Sequence, residues 1–287
     1  MHTTERVVTS MIELLHENLP LLQSAPEDRK RAYFILYYAR LIELLDGAVR
    51  LAGQMDRWAP TSVLLRSALE CTVDLKNLAC APGYEHVVRA MMLENRSAVY
   101  RFHTQPAYDE LVRQYGAERV EQMGQRAQNE FRTALKVATL SFPFLNNASR
   151  NLSVLNRFRI AGMERMYQEE YTFLSMVTHN DMSVLAFGDV VDRLPGIDGL
   201  WDEYAYSLCI RFIVEAVRYK TLLFGRDDEL VQAAFDRYMA MRADLGRENK
   251  PRCMMDLATI GAKELKKQGI LKNLDESDEI NACTVKI

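Results

Sequence analysis

The sequence predicts an all-α protein, a bundle of about seven to eight helices. Apolar residues recur at steps of three and four along most of the chain, as they do on the buried face of a helix. No segment alternates cleanly with the period of two that a half-buried strand requires. Thirteen glycines and eight prolines are few for 287 residues, so long helices are rarely interrupted. These observations favour a helical bundle over any sheet-containing class.

In the first half of the chain, the predicted helices follow from this periodicity and from the residues that break it. Pro60 and Ser62 are residues typical of a helix start, and Ala-Pro-Gly at 81–83 interrupts the chain again. The pattern therefore predicts helices over 31–54, 61–79, 84–103, 107–115 and 117–138.

In the second half, a turn-rich connector at 141–151 precedes a long predicted helix over 152–180. Within that helix, the stretch TFLSMVT is rich in β-branched and aromatic residues and is ambiguous between helix and strand. A loop at 192–196 and a strongly apolar helix over 200–224 follow, and Gly225 is placed to end that helix. A further helix is expected to begin at Asp227.

Composition and charge restrict the classes of function. The formal net charge of −3 gives no general attraction to nucleic acid or to anionic membranes. No run of 18 apolar residues occurs, and the first residues lack the pattern of a signal peptide, so we expect a cytoplasmic protein without a membrane partner. The five cysteines have no C-x-x-C spacing, which predicts neither a metal site nor a disulfide framework, and nothing indicates a cofactor. One domain is expected over 1–245, followed by a polar, partly disordered extension over 246–287.

Two polar couples in apolar helical segments are the candidate functional site. Arg66 and Glu70 are spaced i,i+4, and so are Ser175 and His179 about a hundred residues later. Each couple therefore lies on one face of its helix, one turn apart. Brought together in a bundle, they would supply a guanidinium, a carboxylate, a hydroxyl and an imidazole, which suffice for phosphate recognition and acid–base chemistry.

Each couple also has a structural interpretation. Ser62, Arg66, Glu70 and Asp74 form one stripe that is either the solvated edge of an amphipathic helix or a polar line within an apolar groove. His179 is either a satisfied core residue or an imidazole at a helix end, where the helix dipole favours its protonated form.

The Rx3E spacing in LLRSALE and the YxxLSxxxH spacing in the later helix resemble a family of uncharacterised bacterial all-helical proteins. That family is similar to the HEPN (higher eukaryote and prokaryote nucleotide-binding) superfamily, and the resemblance covers roughly residues 30–225. It implies a HEPN-like core with extra helices. Many HEPN proteins are metal-independent endoribonucleases that act as dimers in toxin–antitoxin and phage-defence systems. The resemblance therefore implies RNA as substrate, a homodimer, and an antitoxin or defence-system partner protein.

Site roles follow from this resemblance. Arg66 would bind the scissile phosphate, His179 would be the general acid or base, Ser175 would orient the imidazole, and Glu70 would hold Arg66 in place. For substrate binding, the expected residues are Tyr171, Arg150, Arg157 and Arg159. The chain departs from the superfamily in one respect. The nuclease motif of the superfamily is an Arg followed by four to six residues and then a His, and no Arg stands at that distance before His179. The cation would then have to come from elsewhere, with Arg66 the natural candidate.

A second hypothesis remains open. In it the protein is a non-catalytic helical interaction or sensor protein, and the Arg–Glu–Ser–His set is a buried polar network that fixes the register of the helices. The two hypotheses differ in whether Arg66 and His179 line an open cleft or are sealed in the core. Motifs of metalloproteases, P-loop NTPases, Rossmann oxidoreductases and α/β-hydrolases do not occur in the sequence.

Overall fold

The fold is an assembly of helices, seen in a computed structural model that describes residues 3–23, 28–52, 54, 58–101, 106–147, 152–178, 200–225 and 236. These residues form nine helices, one short 3₁₀ turn (Pro143–Asn147) and no strand, which confirms the predicted all-α class. The helices are α1 (Thr3–Gln23), α2 (Arg29–Leu51), α3 (Trp58–Cys80), α4 (Tyr84–Arg101), α5 (Pro106–Tyr115), α6 (Ala117–Ser141), α7 (Val154–Ile160), α8 (the continuous helical segment 164–178) and α9 (Leu200–Phe224).

Helix α3 is the centre of the bundle, because it packs against α2, α9, α8, α7 and α4. The core around it includes fully buried aromatic side chains from α2 and α9, among them Phe34, Tyr38 and Phe212. Helix α9 is strongly apolar because it also contacts α1 and α2. Most of its apolar side chains are buried within the chain.

Two features differ from the predicted helices. The sequence analysis placed no helix in the first residues, yet α1 packs against α2 and α9 with Val8, Met11 and Leu15 buried. The long helix predicted over 152–180 is broken between α7 and α8. Gly162 has φ +62°, and the N–H of Met163 donates to the carbonyl of Phe158 at 2.9 Å. This is a Schellman ending, which favours glycine because its left-handed backbone carries no Cβ penalty.

Helices α4 and α6 pack side by side, and α5 contacts both. The bounds of these three helices agree with the prediction to within a few residues; α6 ends three residues later than predicted.

The stretch TFLSMVT is helical and forms the end of α8. The predicted loop at 192–196, the helix from Asp227 and the extension over 246–287 lie outside the described residues. In the described part of the chain, no helix is long and apolar enough to cross a membrane.

Candidate functional site

The two sequence motifs meet through one hydrogen bond. Nη2 of Arg66 on α3 donates to the hydroxyl of Tyr171 on α8 at 2.6 Å. The Arg66 guanidinium carbon also lies 5.0 Å from the centre of the Tyr171 ring, a cation–π contact. Tyr171 precedes Ser175 by one turn of the same helix. The structure therefore brings the motif helix of Arg66 and Glu70 against the motif helix of Ser175.

Tyr171 is held by a wide turn and by neighbouring rings. Between Tyr167 and Tyr171, helix α8 forms a π-helical turn, and the N–H of Thr172 donates to the carbonyl of Tyr167. The rings of Tyr167 and Tyr171 stack with centres 5.0 Å apart, and Phe158 of α7 contacts both. Because π-helical turns often occur at functional sites, this turn marks the segment that presents Tyr171 to Arg66.

Beneath Arg66, a chain of ion pairs runs into the core. Glu70 lies between two guanidinium groups, with Oε1 at 3.6 Å from Arg66 and Oε2 accepting from Nη2 of Arg157 at 2.5 Å. Nη1 of Arg157 donates to Oδ2 of Asp74 at 2.6 Å. The exposed side-chain fraction falls from 24% for Arg66 and Glu70 to 11% for Arg157 and 1% for Asp74. Arg157 is therefore part of a largely buried ion network.

Tyrosines complete this network at its buried end. The hydroxyl of Tyr84, at the start of α4, donates to Oδ1 of Asp74 at 2.5 Å, and Tyr37 of α2 also hydrogen-bonds to Asp74. Burial and the Asp74 charge raise the pKa of Tyr84 well above its usual value, so its hydroxyl stays a donor. Burial alone would lower the pKa of Arg157, but Asp74, Tyr84 and Glu70 raise it, so the guanidinium stays charged. The network thus combines neutral tyrosine donors with the carboxylates of Glu70 and Asp74 and the permanent cation of Arg157.

The solvated-edge interpretation of the α3 stripe is wrong. Ser62 and Asp74 are fully buried, and Arg66 and Glu70 are only partly exposed. The stripe packs into the bundle because α2, α7 and α8 cover it. The closer bond of Glu70 is to Arg157 rather than to Arg66, so Glu70 holds Arg66 only through a longer ionic contact.

The other predicted site residues fall in different places. Ser175 is half-buried on α8. Arg159 is exposed on α7, with its guanidinium carbon 5.9 Å from the centre of the Phe144 ring. His179 and Arg150 lie outside the described residues, so the structure does not bear on their roles. Of the arginines proposed to bind substrate, Arg157 is the one that the structure places in the ion network.

Sequence reasoning assigned no site role to Asp74, Tyr84 or Tyr37. Asp74 carried a usable signal, because it continues the i,i+4 series of Arg66 and Glu70 into an apolar helix, where a carboxylate needs partners. Nothing in the sequence pointed to Tyr84 or Tyr37, because their contacts with Asp74 depend on how α2 and α4 pack against α3.

A second buried carboxylate lies next to Tyr171. Glu170 is 2% exposed, and its Oε2 accepts a hydrogen bond from the hydroxyl of Tyr204 on α9. Burial raises the pKa of Glu170, while the Tyr204 hydrogen bond and the charge of Arg211 oppose that rise. The hydrogen bond between Glu170 and Tyr204 therefore connects the π-helical turn of α8 to α9. Because Glu170 is buried, its ionised form lowers the stability of the folded protein.

We expect replacement of Glu170 by glutamine to change the pH dependence of stability. The pKa of Glu170 is higher in the folded state than in the unfolded state, where it is about 4.3, so folding favours the protonated carboxyl group. The resulting stabilisation is fully present below the unfolded pKa and is lost as the pH rises through the folded pKa. The wild type should therefore lose stability relative to Glu170→Gln as the pH rises above the unfolded pKa of about 4.3. Urea denaturation at a series of pH values measures the difference, with Glu169→Gln, a half-buried neighbour, as the control. A difference between Glu170→Gln and wild type that does not vary with pH would contradict the expectation.

Among the described residues, no group of three or more His, Cys, Asp or Glu side chains is placed to hold a metal ion. The polar groups at the junction of α3 and α8 are instead a partly exposed guanidinium, its tyrosine partner and a half-buried serine. Such a set can bind an anionic oxygen and donate hydrogen bonds to it. The fold and this junction define an all-α protein with a partly exposed arginine above a buried ion network.

The chain belongs to a family of unknown function, DUF5677, whose model matches residues 31–193. The matched stretch runs from α2 through α8 and contains both motif couples. No match was found among curated proteins or among solved structures. The family membership agrees with the expected uncharacterised all-helical family.

Proposed function

We propose that this protein is a HEPN-like, metal-independent endoribonuclease, a phosphate-directed effector that works as a homodimer in a toxin or phage-defence setting. The observation that carries the proposal is the state of Arg66. Its side chain is 24% exposed, and its Nε–H is buried with no acceptor among the described residues. A guanidinium has five N–H donors, and Arg66 makes one short hydrogen bond, to Tyr171. Donors remain for an anionic oxygen, and a bidentate contact with phosphate suits them.

The proposed reaction uses the motif residues in complementary roles. The ribose 2′-oxygen attacks phosphorus and loses its proton to a base, while the bond to the 5′-oxygen breaks and that oxygen gains a proton. His179 exchanges one of these protons, because imidazole titrates near neutral pH. Arg66 stabilises the negative charge that develops on the phosphoryl oxygens. Ser175 orients the imidazole or donates to the phosphate, and Arg159 contacts the RNA backbone.

The ion network supports this proposal in a positioning role. Glu70 contacts both Arg66 and Arg157, and Arg157 is fixed in turn by Asp74. The guanidinium of Arg66 is therefore supported from below by a carboxylate that cannot move freely. Preorganised donors of this kind stabilise developing charge better than mobile ones.

A second candidate function is favoured by the same network. In it the protein is a non-catalytic interaction or sensor protein, with Glu70, Asp74 and Arg157 as a purely structural set. The observation in its favour is that Arg157 donates to both Glu70 and Asp74, and that these three side chains leave little surface for substrate. Buried networks of this kind serve structure as well as catalysis.

The test is cleavage of a set of structured and single-stranded RNAs by purified protein in a chelating buffer. We expect His179→Ala and Arg66→Ala each to lower the rate by about 10²–10³-fold, the usual effect of removing one charge-stabilising group. Arg132→Ala is the control, since Arg132 is exposed on α6. Circular dichroism checks that each variant is folded.

Two results would overturn the proposal. One is the absence of cleavage by the wild type on every RNA tested. The other is cleavage that persists unchanged in both folded variants. Either result, combined with lower stability of Arg66→Ala, would favour the interaction or sensor function.

A further inference from the structure

A second polar cleft lies on another side of α3, where α3, α9 and the start of α8 meet. Its volume is about 220 Å³. Three cationic side chains line it, Lys76 from α3 and Arg211 and Arg218 from α9. The other polar lining residues include Glu215, Tyr219 and Cys80, and Met163, Met166 and Phe212 form part of its apolar wall.

Among the described residues, none of these three cations forms an ion pair of 4 Å or less, unlike Arg66 and Arg157. The charge of Arg211 does act at longer range on the buried Glu170. The one carboxylate that lines the cleft belongs to Glu215, and it accepts a hydrogen bond from the hydroxyl of Tyr219. Like charges that share a small cleft repel each other unless an anion lies between them. The cleft is therefore electrostatically suited to a ligand with more than one negative charge.

The carboxylate of Glu215 adds a second requirement. Its Oε2 is buried, and no described group donates a hydrogen bond to it. A buried carboxylate oxygen without a donor costs free energy that a ligand hydroxyl or amino group would recover. The ligand should thus carry a donor in addition to its anionic group.

We propose that this cleft binds a small phosphomonoester that also bears a hydroxyl group. The phosphate contacts Lys76, Arg211 and Arg218, and the hydroxyl donates to Oε2 of Glu215. A volume of about 220 Å³ is below the range of about 300–1,000 Å³ that holds drug-sized ligands, so the ligand is close to a triose phosphate in size. The proposal is independent of the ribonuclease function, because it uses none of the residues assigned to that reaction.

Calorimetric titration of the full-length protein tests the proposal, with glycerol 3-phosphate, inorganic phosphate and glycerol as the three probes. We expect saturable binding of glycerol 3-phosphate, weaker binding of inorganic phosphate and no binding of glycerol. The double variant Arg211→Gln/Arg218→Gln should weaken glycerol 3-phosphate binding by at least about tenfold, since each lost guanidinium removes a charge-assisted hydrogen bond. Both arginines are exposed, so the variant should fold as the wild type does. The matched control is Arg132→Gln, an exposed arginine on α6.

Two further measurements locate the ligand and identify its second group. Cys80 is an exposed thiol in the cleft, and it is the one cysteine in the tryptic peptide of residues 77–89. Bound glycerol 3-phosphate should slow its alkylation, as measured by mass spectrometry of that peptide. Glu215→Gln should lower the ratio of the affinity for glycerol 3-phosphate to the affinity for inorganic phosphate. The substitution removes a negative charge that repels both ligands, but it alters the hydrogen-bond acceptor that only the hydroxyl of glycerol 3-phosphate uses.

Three outcomes would overturn the proposal. The first is no saturable binding of either phosphate compound. The second is equal binding by wild type and Arg211→Gln/Arg218→Gln, or no protection of Cys80, either of which would place the bound phosphate elsewhere. The third is equal affinity for glycerol 3-phosphate and inorganic phosphate, in the wild type and in Glu215→Gln alike. That result would show that the cleft does not recognise a hydroxyl group on the ligand.

Discussion

Replacing Arg157 by alanine should lower the free energy of unfolding by about 3–5 kcal/mol, the usual cost of removing one partner from a buried ion pair. Arg157 neutralises both Glu70 and Asp74, and Asp74 is fully buried. Without the guanidinium, the Asp74 carboxylate keeps its hydrogen bond from Tyr84 but has no described cation beside it. The variant must therefore bury an unpaired charge or bind a proton at Asp74.

Urea denaturation followed by circular dichroism measures this loss. Arg159→Ala is the matched control, because Arg159 lies on the same short helix but is exposed; its cost should stay within about 0.5 kcal/mol. A triple variant, Arg157→Met with Glu70→Gln and Asp74→Asn, should recover much of the stability, since it leaves no unpaired charge. Equal costs for Arg157→Ala and Arg159→Ala would show that the buried network contributes nothing to stability.

The contrast between Arg157 and Arg159 shows what the sequence can and cannot predict. Both were expected to bind substrate. Their true environments depend on the orientation of α7, which is set by the Schellman ending at Gly162 and by the burial of Phe158. The glycine was visible in the sequence, but the helical period on both sides of it favoured one continuous helix.

Features set by local periodicity were predicted well. The helices α2 to α6 follow from apolar spacing and from Pro and Gly breaks. The π-helical turn at Tyr167–Tyr171 was not predictable, since its extra residue per turn has no sequence signature. It nevertheless decides which side chain of α8 meets Arg66.

Tyr171 should give the second large effect on stability. Its side chain is 6% exposed and contacts the rings of Phe158 and Tyr167 as well as Arg66. Tyr171→Ala removes these contacts and leaves a cavity, so the free energy of unfolding should fall by about 3–5 kcal/mol, as for other buried aromatic residues. Tyr171→Phe keeps the ring and removes only the hydrogen bond from Arg66, with an expected cost of about 0.5–1.5 kcal/mol.

A double-mutant cycle between Tyr171→Phe and Arg66→Met isolates the contact that joins the two motifs. We expect a coupling energy of about 0.5–3 kcal/mol, because the two side chains touch. Tyr167→Phe is the control: it belongs to the same ring stack, and its coupling to Arg66→Met should be smaller than that of Tyr171→Phe. If Arg66 and Tyr171 prove uncoupled while Tyr171→Ala is still strongly destabilising, Tyr171 is a core residue and the contact does not position Arg66. Strong coupling would make the tyrosine hydroxyl the group that orients the guanidinium, and Tyr171→Phe should then slow RNA cleavage more than Tyr167→Phe does.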